Sequence, residues 1–160
     1  MHEPLAYHLS WTCYGQWLHG DVRGYVDDRH RTPGEPYIYD HPQRRSAAAN
    51  RMAEPPCWLT HARRGVAEEA LREACAFRGW MLHALNVQPD HVHVVITARG
   101  LTGKRVMQRL KDRATRRLRE TVPERRRWWT EGGKVDLIFN ERHLGQVVDY
   151  VHSRQPFPRA

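Results

Sequence analysis

Two short apolar runs, WMLHALNV at 80–87 and HVHVVITA at 91–98, flank a Gln88-Pro89-Asp90 break. Each is the length of a strand, and the proline-aspartate pair between them is turn chemistry, so they read as a β-hairpin. In an extended strand successive side chains alternate between faces. Val92, Val94 and Ile96 therefore form one buried face, and His91 and His93 leave together on the other.

The same reading along the rest of the chain predicts five further elements. LAYHLSWTCY (5–14) is a first strand that stops at a glycine. Thr60 caps a helix over 61–78, whose apolar stripe is Val66, Ala70, Leu71, Ala74 and Cys75 and whose stop is Gly79. A second helix covers 102–119, with Val106, Leu110, Ala114 and Leu118 recurring every fourth position beside Met107 and basic residues elsewhere. Gly132-Gly133 precedes a fourth strand, KVDLIF (134–139), and Asn140 caps a last helix striped by Leu144, Val147, Val148 and Val151 and ended by Pro156. Between the first strand and the first helix, residues 15–58 are rich in Gly, Pro, Asp, Arg and His and show no period. A loop of that length within a compact domain is normally functional or disordered.

The order is βαββαβ followed by a helix. It predicts an α+β fold with a ferredoxin-like core, an antiparallel sheet with helices on one face, and an added C-terminal helix. One domain spanning 1–160 suits the length. No run of about 18 apolar residues predicts a membrane span. The start, MHEPLAYHLSW, has no basic region followed by an apolar stretch, so no signal peptide is expected. Cys13, Cys57 and Cys75 are odd in number and widely spaced, which argues against a disulfide framework or a cysteine zinc site and fits a cytoplasmic protein.

Charge changes the picture more. The formal net charge is +8, arginine far outnumbers lysine, and basic side chains crowd KRVMQRLKDRATRRLR (104–119) and ERRRWW (124–129). Arginine suits bidentate phosphate contacts and stacking on bases, so the clustering favours a polyanion. Plain solubility, or an arginine-biased genome, gives the same composition.

Two imidazoles on one strand face can hold one divalent metal and leave coordination positions open for substrate; they can equally be two surface side chains. The last helix adds Tyr150, which lies beside the apolar stripe and shares its flank with Gln146 and His143. It is either a boundary packing residue with a wet hydroxyl or a nucleophile whose phenolate attacks a phosphodiester beside a metal.

PDHVHVVI, the basic helix with LKDRATRRL, WWTEGG and the terminal DYVHSRQ, in that order over nearly the whole chain, resemble the single-tyrosine HUH transposases. The branch they resemble is that of the REP-associated tyrosine transposases, one subgroup of which also carries a stretch like YGQWLHGD. The resemblance implies a metal-dependent single-stranded DNA endonuclease and strand transferase that recognises hairpins. Carried over, His91 and His93 are the metal-binding pair for Mg²⁺ or Mn²⁺, and Tyr150 is the nucleophile that becomes linked to a 5′ phosphate. The family's third ligand sits one helical turn after the tyrosine; that position is Arg154 here and the glutamine follows at Gln155, which a π-bulge or an unwinding helix end before Pro156 would turn toward the metal.

With DNA as the expected partner, Lys104, Arg105, Arg109, Lys111, Arg113, Arg116 and Arg117 are candidates for phosphate contacts, and Trp17, Trp128 and Trp129 for stacking on unpaired bases. Core or rim packing is the plain alternative for each tryptophan. The resemblance allows a monomer, nucleoid-associated when DNA-bound, or a homodimer that exchanges its tyrosine helices. Three rivals stand beside this reading: a domesticated relative that nicks or binds a host hairpin, a binding module on a ferredoxin-like sheet, and a structural zinc protein. Binding modules place aromatics on their central strands, where this chain has histidines, and too few zinc ligands are evident.

Overall fold

A computed structural model describes residues 2–16 and 53–153 of the chain. In chain order the elements are β1 (Ala6–Thr12), α1 (His61–Arg78), β2 (Met81–Val87), β3 (His91–Thr97), α2 (Gly103–Arg119), β4 (Lys134–Ile138) and α3 (Glu141–Ser153). The strands form one antiparallel sheet in the order β2-β3-β1-β4, the ferredoxin-like arrangement. Boundaries shrink by a residue or two from the expected ones, most at β1, where Cys13 survives only as an isolated bridge to Trp129. The predicted caps are made, with Thr60 accepting from the Arg63 amide and Asn140 Oδ1 from the His143 amide at 2.8 Å; Thr102, expected inside the second helix, caps it instead by accepting from the Arg105 amide. Gly79 closes α1 in the left-handed conformation, which costs a glycine nothing.

Alternation on the two central strands divides the molecule into two apolar layers. Tyr7, Leu9 and Trp11 of β1 and Cys13 just beyond it, with Val92, Val94 and Ile96 of β3, face α1 and α2. Those helices contribute Ala67, Leu71, Ala74, Val106, Leu110, Ala114 and Leu118 to this main core. A smaller cluster on the other face joins Ala6, Ala84, Val95 and Ile138 to Leu144 and Val151 of α3. The C-terminal helix therefore covers part of the face that the other two helices leave open.

Backbones approach closely where β4 begins: a Cβ on Gly133 would sit 2.6 Å from the Ser10 carbonyl oxygen and 2.7 Å from Met107 Sδ, so only glycine lets β4 run beside β1 there. All three cysteines are buried and none is in a disulfide. No helix among the described residues is long and apolar enough to cross a membrane.

Candidate active site

The face opposite α1 and α2 carries the chemistry. His91 and His93 leave β3 on that side, with ring centroids 5.0 Å apart and the rings edge-on to one another. The register of β1 against β3 places Thr12 opposite His91, Ser10 opposite His93 and His8 opposite Val95. His8 is thus diagonal to His93, close enough for side chains to meet. They do: His8 Nε2 lies 3.1 Å from His93 Nδ1, and the rings stack with centroids 5.2 Å apart.

Carboxylates back this row from both ends. Asp90, 1% exposed, holds its Oδ1 2.7 Å from His91 Nδ1. A carboxylate accepts only, so Nδ1 carries the proton, and in the neutral ring the lone pair is on Nε2. On β4, Asp136 stands opposite His8, with Oδ2 3.6 Å from His8 Nδ1 and 3.7 Å from Lys134 Nζ.

Helix α3 brings the tyrosine to the same row. Tyr150 is 44% exposed, and its ring stands edge-on to His93 and His8 at centroid distances of 6.2 and 6.3 Å. Val151, next along the helix, is buried in the small apolar cluster. Asn86 of β2, which pairs with His93, donates from Nδ2 to the Val151 carbonyl oxygen at 2.9 Å. Beside the histidines, the buried Val151 side chain and the Asn86 hydrogen bond hold the helix to the sheet, a single residue from the phenol.

The structure therefore brings His91, His93 and Tyr150 together, and adds His8, Asp90, Asp136 and Asn86, which the sequence reading had not singled out. The alternation AYHLSWT already put His8, Ser10 and Thr12 on one face of β1. What was missing was the register that sets this face beside β3. Gln155 and Trp17 lie outside the described residues.

The nucleic-acid candidates divide. Lys104, Arg105, Arg109 and Arg116 are exposed on α2, across the sheet from the histidines. Lys111 is not at the surface. It is buried, donating to the carbonyls of Thr130 (3.0 Å) and Gly132, and burial pulls its ammonium down to about 8. Arg113 and Arg117 are half-buried and share the Glu73 carboxylate of α1 at 2.9 Å, which holds that carboxyl below its usual range. Trp128 is buried in the main core, because the segment before β4 runs along the end of β1: the Tyr14 amide donates to Trp128 O, and the Thr130 amide to Thr12 O. Trp129 is half-buried, edge-on to Trp11 at 6.0 Å, with its Nε1 donating to Thr115 Oγ1. For Lys111 and Trp128 the interior reading replaces the DNA-contact one.

The family model described as "Transposase IS200 like" matches residues 56–154, well over half of the chain and all of it from α1 through Tyr150. The chain belongs to the IS200-like transposase family. It is accordingly a transposase-type protein whose partner is DNA. Among solved structures, this IS200-like transposase is similar to the REP-associated tyrosine transposase bound to a REP hairpin. The TM-score is 0.54 at 12% identity, over 95% of this chain and 67% of that one. It is also similar to a candidate transposase from Deinococcus radiodurans R1, with TM-score 0.49 at 20% identity over 98% of this chain and 95% of that one. At such identities the first likeness speaks for the fold. No match was found among curated proteins.

Proposed function

We propose that this IS200-like transposase cuts and rejoins single-stranded DNA through a covalent 5′-phosphotyrosine on Tyr150, with His91 and His93 holding one Mg²⁺ or Mn²⁺. The observation that carries this is the convergence, within one chain, of the Tyr150 ring and the two strand histidines on one face of the sheet. The histidines suit a divalent ion: they share a face, and Asp90 keeps the His91 lone pair on Nε2. Among the described residues no group of three His, Cys, Asp or Glu makes a site by itself. An open, two-imidazole site that takes further oxygens from Gln155 and from the DNA phosphate fits a catalytic ion better than a structural one.

When bound, the ion supplies Lewis-acid polarisation of the scissile phosphate. The remaining work falls to the protein. Tyr150 Oη attacks the phosphorus; its O–P bond forms as the P–O3′ bond breaks, and the phenolic proton ends on the departing 3′ oxygen by way of solvent or a neighbouring base. A 3′ hydroxyl from a second strand reverses the exchange. One phosphodiester is made for each one broken, so no external energy source is required. The docked helix fixes the phenol's approach before substrate arrives, which spares orientation entropy at the moment of attack.

DNA enters on the face opposite the main core, guided by the net charge of +8. The exposed α2 residues Lys104, Arg105, Arg109 and Arg116 would then meet DNA that passes round the edge of the sheet, as the stem of a hairpin does, rather than the scissile phosphate. The test is cleavage of a labelled hairpin with a single-stranded flank in the presence of Mn²⁺. Doubly substituting His91 and His93 by alanine should abolish cutting while binding persists, because phosphate contacts elsewhere dominate affinity. A double variant that still cut with ordinary metal dependence would sink the proposal.

A further inference from the structure

His8 lies in the middle of β1 and is 9% exposed, a buried imidazole stacked on His93. Its neighbours on that face of the strand are Ala6, Ser10 and Thr12. We infer that His8, backed by Asp136, is a positioning residue that sets the tautomer of His93 and so presents its Nε2 lone pair for a metal. The inference rests on the reading of His91 and His93 as metal ligands.

The 3.1 Å contact between His8 Nε2 and His93 Nδ1 admits one proton, so one ring donates and the other accepts. Were His8 the donor, neutral His93 would carry its proton on Nε2 and could not ligate until that proton left. Asp136, which also faces Lys134 Nζ at 3.7 Å, favours one of the two states. Its Oδ2 is 3.6 Å from His8 Nδ1, beyond a direct hydrogen bond, but its field attracts a proton to Nδ1 and repels a lone pair there. With the proton on His8 Nδ1, Nε2 accepts, His93 Nδ1–H donates, and the lone pair of His93 is on Nε2.

His91 reaches the same state by a shorter route, through Asp90 at 2.7 Å. Each histidine of the pair thus has a carboxylate behind it, one directly and one through a second imidazole. Such outer partners fix ring orientation and raise ligand basicity. His8 is not itself placed as a third ligand, because its Nε2 is turned onto His93 Nδ1.

Two readings test this on the full chain: the protonated nitrogen of each histidine ring by two-bond ¹H–¹⁵N NMR of metal-free protein, and Mn²⁺ affinity by calorimetry. His8→Leu removes the acceptor and should move the His93 proton toward Nε2, leave His91 unchanged, and weaken Mn²⁺ roughly 10- to 100-fold. His8→Gln, whose amide oxygen can occupy the place of Nε2, should restore both. Asp136→Asn, at a half-exposed position on an edge strand, should shift the His93 proton in the same direction, and it decides the matter if His8→Leu fails to fold. A folded His8→Leu or Asp136→Asn protein with the wild-type His93 tautomer would overturn the inference, as would unchanged Mn²⁺ affinity in His8→Leu. Because the tautomer is read without metal, it decides the role of His8 even if wild-type protein bound no Mn²⁺, a result that would count against the proposed function instead.

Discussion

Replacing Asn86 by alanine should loosen the tyrosine helix while leaving the sheet intact. The Val151 carbonyl belongs to the last turn of α3, where carbonyls lack helical partners, and Val151 itself is fully buried. Asn86 Nδ2 satisfies that oxygen at 2.9 Å. Deleting the donor leaves a poorly solvated acceptor, at a cost of about 1–3 kcal/mol. Against this, α3 buries Leu144 and Val151, together about 3–6 kcal/mol before the entropy of docking, with Val147 and Val148 packed partly against the same cluster. The loss is a large share of what holds the helix down, and it corresponds to a rise of roughly 5- to 150-fold in the undocked population. Hydrogen exchange followed by mass spectrometry should show α3 amides exchanging faster by that factor, with β1 and β3 amides unmoved. DNA cleavage should fall, since Tyr150 is on the loosened helix. Unchanged exchange in α3, or an equal rise across the sheet, would refute the reasoning.

Lys111 gives a pH test. Its folded value of about 8 lies below its ordinary 10.5, so between these limits the unfolded chain binds more protons and stability rises with pH. The wild type should gain up to about 3 kcal/mol over Lys111→Met across that window in urea unfolding; parallel curves for the two proteins would refute the burial argument. On the surface of α2, Arg109→Gln should weaken DNA binding and flatten the dependence of log K on log salt by about one unit, while cleavage of saturating DNA is unchanged. An unaltered slope would make that face merely solvated. Finally, mixing Tyr150→Phe with the His91, His93 double alanine variant should restore no cleavage, because the tyrosine meets the histidines of its own chain. Recovered activity would mean that two chains exchange helices.

The fold was legible because its signals were local. The caps at Thr60 and Asn140, the stripes of α1 and α2 and the turn at Pro89 each act within a few residues, and each appears where the pattern placed it. The same-face relation of His91 and His93 was legible for the same reason. What could not be read was long-range register. His8 and Asp136 reach the site only because β1 pairs with β3 on one side and β4 on the other. Composition misled at Lys111 and Trp128: a basic helix looks uniformly solvent-facing until one lysine is seen to follow the stripe inward to two carbonyls. The tryptophans sit in a segment whose pairing with β1 carries Trp128 into the core.

The central claim is that Tyr150 becomes covalently joined to DNA, and a free phenol, with a pKa of about 10, does not do this unaided at neutral pH. The most direct measurement is denaturing electrophoresis of protein incubated with Mn²⁺ and a hairpin labelled 3′ to the cut, so that the label stays with the 5′ phosphate. Wild-type protein should give a labelled band that survives boiling in detergent, and Tyr150→Phe, which keeps the ring and its packing, should give none. A band of equal strength from Tyr150→Phe would contradict the account.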